Sequence, residues 1–97
     1  MLIGIDLVRD ARIDTTDEQF VKNVLAPSEY AFRAKLPTIF ALKEATLKAL
    51  GELPGWHKVR IEYRQEIPRV CVEGYTAICS VSHEDGMTVA VVVLHEE

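Results

Sequence analysis

The sequence predicts an α+β fold in which an antiparallel sheet packs against helices. Three observations predict it. The chain opens on a short apolar run, LIGIDLV, that reads as a strand. A middle section from about residue 16 to residue 50 carries helix starts, helix stops and helical periodicity. The rest alternates apolar and polar residues with period two, and Glu84-Asp85-Gly86 separates two β-rich runs as a hairpin turn does. One strand, then helices, then several strands is the pattern of an α+β domain rather than of alternating parallel units. At 97 residues the expectation is one small domain spanning 1–97.

In order along the chain, Leu2 to Val8 is rich in Ile and Leu and suggests a strand buried on both faces. Thr15-Thr16-Asp17-Glu18 supplies cap residues and an acidic first turn for a helix from about Thr16 to Leu25. Pro27-Ser28-Glu29 restarts the chain, and SEYAFRAKL reads as a second short helix. Pro37 and Thr38 open a third helix, closed by Gly51, and Pro54-Gly55 predicts a turn. KVRIEYR (58–64) is a half-exposed strand and RVCVE (69–73) alternates likewise. Tyr75–Ser82 and Met87–Leu94 form the hairpin. TVAVVVL is apolar on both faces, so it is either central or packed against another subunit.

Composition narrows the function. With 48% hydrophobic and 27% charged residues this is an ordinary globular chain, and its net charge of −4 argues against a nucleic-acid partner. Residues 1–48 carry seven basic and seven acidic groups, whereas 49–97 carry four and eight. An anionic partner should therefore prefer the first half. No apolar run is long enough for a membrane span, and an acid interrupts the N-terminal one, so no membrane association and a cytoplasmic location are expected. Cys71 and Cys79 lack metal-ligand spacing and are expected to be reduced, buried thiols.

Three places could carry chemistry. In the first strand Gly4, Asp6 and Val8 share a face. A buried carboxylate is costly unless it is paired, hydrogen-bonded or metal-bound, and Gly4 leaves room for a ligand or another backbone. In the third helix, at about 100° per residue, Ile39, Phe40, Leu42, Leu47 and Leu50 share an arc, and Lys43 falls in the middle of it. Glu44 lies on the arc's edge with Lys48 one turn further on. Ala41, Ala45 and Ala49 make a flank that lets another backbone come close. The plain reading is a Glu44–Lys48 helix pair with Lys43 reaching past its neighbours to water. The alternative makes Glu44 a second hard-oxygen metal ligand beside Asp6, with Lys48 for the phosphates, since two carboxylates plus substrate phosphates suit Mg2+. Third, Ser82-His83 ends an apolar strand and could face a cleft, or be surface residues of a hairpin.

Taken in order, Gly4-Ile5-Asp6 with Arg12-Ile13, the Ala26-Pro27-Ser28-Glu29 stretch, Phe40, Lys43-Glu44, Lys48-Ala49-Leu50-Gly51 and Ser82-His83 with Ala90-Val91-Val92 resemble the 4'-phosphopantetheinyl transferases. The nearest likeness is to the small acyl carrier protein synthase type. The resemblance implies that fold, and transfer of 4'-phosphopantetheine from coenzyme A to a serine of an apo acyl carrier protein, with release of adenosine 3',5'-bisphosphate. It implies that Asp6 and Glu44 hold Mg2+, and that Lys48, with Lys43, neutralises phosphate oxygens. It further implies that Ser82 and His83 contact coenzyme A phosphate across a subunit boundary, that Arg12 helps dock the acyl carrier protein, and that the chain is a homotrimer with interfacial sites. Glu44 directly, or a metal-bound water, would take the serine proton. Two departures stand out. Thr38-Ile39 occupies the place of a Gly-Arg pair common in the family, and Glu84-Asp85 follows His83. They leave a second reading open, a catalytically weak relative that binds coenzyme A or a carrier protein. In a third, an unrelated α+β domain, Glu44–Lys48 is only a helix pair.

Overall fold

Strand β1 (Leu2–Arg9) and helix α2 (Leu36–Leu50) lie against each other more closely than side chains normally allow, and the rest of the fold is built around that contact. The structure is a computed structural model describing residues 1–52 and 55–97. After β1 come helix α1 (Glu18–Val24) and a 3-10 segment, Pro27–Lys35, then α2 and strands β2 (Val59–Arg64), β3 (Ile67–Val72), β4 (Tyr75–Glu84) and β5 (Met87–Glu96). The sheet order is β1-β5-β4-β3-β2, and every pairing is antiparallel.

Local chemistry accounts for most boundaries. The Asp17 side chain accepts from the Phe20 amide at 3.2 Å and starts α1 two residues later than expected. The SEYAFRAKL stretch winds as 3-10 helix with a break at Phe32, not as α-helix. Pro37 sits in the first turn of α2, and Gly51 ends it in the left-handed conformation at φ 73°. The β4–β5 hairpin turns on Asp85 and Gly86, both at positive φ as a two-residue hairpin loop requires. The expected turn at Pro54-Gly55 begins at residue 54, outside the described residues.

The sheet has one covered face. Val8 of β1, Ala90, Val92 and Leu94 of β5, and Val59 and Ile61 of β2 point into a core shared with Ile39, Leu42, Ala45 and Leu47 of α2. β5 is central, as its apolar character suggested. The expectation that β1 is buried on both faces does not hold in this chain, because Gly4, Asp6 and Val8 face α2 while Ile3, Ile5 and Leu7 face outward. Those three and Ile78 of β4 are each more than 60% exposed.

Candidate functional site

Gly4 sets the geometry of the site. A β-carbon placed on it would lie 1.8 Å from the Ala45 carbonyl oxygen and 3.0 Å from the Ala49 amide nitrogen. Only glycine permits this approach of strand to helix. The small flank of α2 thus meets another backbone, not a ligand. The consequence appears two residues along: Asp6 points at the same helix, opposite the turn that carries Glu44 and Lys48.

Asp6 is 8% exposed. Its Oδ1 accepts from Lys48 Nζ at 2.8 Å, and the same ammonium reaches the Ile5 carbonyl at 3.3 Å. Its Oδ2 is buried with no hydrogen-bond partner, a costly state for an anionic oxygen. Partial burial raises the Glu44 carboxyl above the usual carboxylate range. The Asp6 charge adds to that, and the Lys48 ammonium works against it. The two acids therefore share one electrostatic neighbourhood with a single cation, Lys48, and an excess of one negative charge. Lys48 pairs across to the strand; the expected Glu44–Lys48 ion pair is not found among the described residues.

This donor set fits Mg2+. An orphaned carboxylate oxygen beside a second acid offers hard oxygens, and a hydrated divalent ion that completes its shell from substrate needs few protein ligands. Among the described residues no group of three or more His, Cys, Asp or Glu is arranged to hold a metal, so a two-acid site is what is available.

Lys43 is elsewhere. Its side chain is fully buried, with Nζ donating to Glu29 Oε1 and to the Val24 carbonyl, both at 2.7 Å. Glu29 Oε1 also accepts from the Ala26 amide at 2.7 Å, and Oε2 accepts from the Ile61 amide at 2.6 Å. Burial lowers the Lys43 pKa, and the bond and charge of Glu29 oppose that. The expectations that Lys43 touches phosphate, or reaches water, both give way to this pair. Four elements end on it, and the ammonium has no path to a ligand.

Ser82 and His83 separate because side chains alternate along a strand. Register puts His83 opposite Thr88, on the covered face, and Ser82 opposite Val89, on the outer face. Both nevertheless border one shallow cavity with Leu7, Glu84, Met87 and Val89. His83 Nδ1 lies 2.9 Å from Thr88 Oγ1, and Nε2 lies 3.4 Å from Thr38 Oγ1 at the start of α2. Thr38 precedes Glu44 by six residues, about 9 Å along a helix axis, so His83 stands well up the helix from the two acids. Arg12 is exposed at the end of a short 3-10 turn, Asp10–Arg12, near the exposed Arg9. Ile39, in the place of the family's Arg, is wholly buried and offers nothing to a ligand.

Two residues near His83 escaped the sequence reading. Thr88 is fully buried, and its hydroxyl donates to Asp10 Oδ1 at 2.7 Å. The signal was there: alternation places Thr88 in the same inward row as Ala90, Val92 and Leu94, where a polar residue needs a partner.

Comparison with known proteins identifies the family and the fold. Residues 2–85 match the model of the 4'-phosphopantetheinyl transferase superfamily. The holo-[acyl-carrier-protein] synthase of Anaeromyxobacter sp. (strain K) is 29% identical over 119 residues, covering 95% of this chain and 93% of that protein. The synthase of Mycoplasmopsis pulmonis is 29% identical over 99 residues, covering 95% and 88%. Among solved structures, the Helicobacter pylori holo-[acyl-carrier-protein] synthase in complex with coenzyme A superposes with TM-score 0.83 at 30% identity, covering 97% of this chain and all of that one. The Bacillus anthracis synthase, in complex with CoA (3',5'-ADP), gives TM-score 0.85 at 24% identity, covering 99% and 96%.

Proposed function

The chain belongs to the 4'-phosphopantetheinyl transferase superfamily, and on that premise we propose that it is a holo-[acyl-carrier-protein] synthase with its two acids at the reacting centre. It transfers 4'-phosphopantetheine from coenzyme A to a serine hydroxyl of an apo acyl carrier protein. Relatives that carry that name, one of them holding coenzyme A, support the reading. The observation that carries the detailed site is the orphaned Asp6 Oδ2 facing the helix that presents Glu44 and Lys48.

Asp6 and Glu44 hold Mg2+, which when bound supplies positive charge to the pyrophosphate of coenzyme A. Lys48, half-exposed and tethered to Asp6 Oδ1, turns its ammonium to a phosphate oxygen as substrate arrives. The serine oxygen forms a bond to the β-phosphorus, the bond from that phosphorus to the bridging oxygen breaks, and adenosine 3',5'-bisphosphate leaves. Glu44 takes the serine proton. Positioning and charge neutralisation carry the reaction, as phosphoryl transfer generally requires. Nε2 of His83 contacts a phosphate of coenzyme A bound to a neighbouring subunit's acids. Exposed Arg9 and Arg12 receive the acidic carrier protein. The outward Ile3, Ile5, Leu7 and Ile78 support self-association, and resemblance makes it a trimer.

The test incubates the protein with apo acyl carrier protein, coenzyme A and Mg2+ and weighs the intact carrier. Gain of one phosphopantetheine, lost in Asp6→Ala and in Glu44→Ala, supports the proposal. No gain, but thermal stabilisation by coenzyme A, replaces it with a binding module.

A further inference from the structure

We propose that Asp10 and Thr88 are positioning residues for His83, which fix its ring in the tautomer protonated on Nδ1 and so reserve Nε2 for a ligand. The argument is a count of protons. The Asp10 carboxylate only accepts, and it takes the single proton of the Thr88 hydroxyl at 2.7 Å. Thr88 Oγ1 is left with lone pairs alone toward His83, so Nδ1, at 2.9 Å, is the donor. An unconstrained neutral imidazole prefers its proton on Nε2, so the relay reverses the ordinary preference. Thr88 is fully buried, and the Asp10 amide is bonded to the Gly86 carbonyl at 2.8 Å, so neither partner is free to wander.

The relay determines what His83 offers. In that neutral tautomer Nε2 is an acceptor; it lies 3.4 Å from Thr38 Oγ1, too far for a firm bond, so the nitrogen is open to take a proton. In the protonated ring Nδ1 keeps its bond to Thr88, and Nε2–H becomes the free donor, the form that suits an anionic oxygen. The Asp10 carboxylate, one hydroxyl away, is the ring's indirect counter-charge. This role rests on the proposal that His83 contacts a coenzyme A phosphate; the tautomer itself does not.

The test therefore has two arms. In the first, uniformly 15N-labelled protein without coenzyme A is studied by long-range 1H–15N correlation at a pH where the ring is neutral. His83 is expected to be protonated on Nδ1 in the native chain. It should shift to Nε2 in Thr88→Val, which removes the acceptor, and in Asp10→Ala, which frees the hydroxyl to donate to the ring. Thr88→Ser restores the native pattern. Native protein protonated on Nε2, or two variants with no shift, overturns the proposal. Asp10→Ala serves where the buried Thr88→Val unfolds the chain. In the second arm, KM for coenzyme A rises roughly tenfold in Thr88→Val, more than kcat falls, as expected when the protonated ring loses the anchor on Nδ1 and the counter-charge of Asp10 that orient and favour it. A tautomer switch in a chain that binds no coenzyme A supports the relay and removes the transferase reading. Coenzyme A kinetics untouched by Thr88→Val remove the relay's role and leave the transferase reading standing.

Discussion

Lys43 and Glu44 are sequence neighbours with opposite fates, because a helix rotates about 100° between them. Lys43 turns into the protein and meets Glu29; Glu44 turns toward β1 and meets the field of Asp6. A fully buried pair of this kind is asymmetric in its energetics: removing one partner strands the other charge, whereas removing both costs much less. Lys43→Met is therefore expected to cost about 3–5 kcal/mol in urea unfolding, and Lys43→Met with Glu29→Gln about half of that or less. Equal losses would show that the pair's charge is not what holds these elements. Tyr63 shows the same principle in a neutral group. Its hydroxyl is buried without a partner, and burial first, then the neighbouring Cys79 and Glu29, push its pKa from 10.0 up to about 12. The folded chain thus favours the protonated phenol more than the unfolded chain does. The stability this linkage supplies is complete below pH 10.0 and lost as pH climbs to about 12. Tyr63→Phe keeps the ring stacked on Phe32 at 4.8 Å. It should flatten that alkaline decline and gain about 1 kcal/mol at neutral pH. A decline of equal slope in both chains would assign it to another group.

At the scale of elements, what the sequence made legible was whatever depends on near neighbours. The helix stop at Gly51 and the Asp85-Gly86 hairpin were readable because glycine and its turn partners announce left-handed backbone. The β2–β3 turn was not, since it is made by Gln65 and Glu66, at φ 49° and 67°, residues without a turn signature. Strand β3 accordingly begins at Ile67, two residues before its expected start. Lys43 was visible only as a fault in an apolar arc. Its partner lies 14 residues away on another element, and no periodicity reports that. Lys48 was likewise assigned to its helix neighbour when its partner is 42 residues distant. The likeness to a family singled out Asp6 and Glu44 as the expected metal ligands; composition and spacing alone left them open. The contact that brings them together is a property of two elements, β1 and α2. Gly4→Ala would drive a methyl against the Ala45 carbonyl, a backbone atom that no side-chain change can withdraw. The elements must separate. Overpacking of this kind costs about 1–3 kcal/mol. A shift near 1 Å at a reacting centre costs on the order of 100-fold in rate. Gly4→Ala is thus expected to stay folded by circular dichroism and lose most of its transfer activity. Full activity in a folded Gly4→Ala chain would mean that the strand–helix spacing does not govern the site.

Across the whole molecule the unbalanced feature is the sheet. One face is sealed by α2, while the other carries Ile3, Ile5 and Leu7 on β1, Val89, Val91 and Val93 on β5, and Ile78 on β4. Register aligns Ile3, Val93 and Ile78 in one row across three strands, and Ile5 with Val91 in the next. A contiguous aliphatic surface of this kind marks an interface, and each such side chain fully buried contributes about 1.5–3 kcal/mol. Ile78→Arg places a charge at the β4 end of that row without touching the core beneath it. The native chain is expected to sediment near three times 10.9 kDa and the variant near one. The variant should keep native circular dichroism yet transfer phosphopantetheine at no more than about a hundredth of the native rate, since an incomplete site loses both contacts and positioning. Native protein that sediments as a monomer while fully active, or a monomeric variant as active as the native chain, would confine the whole reaction to a single subunit.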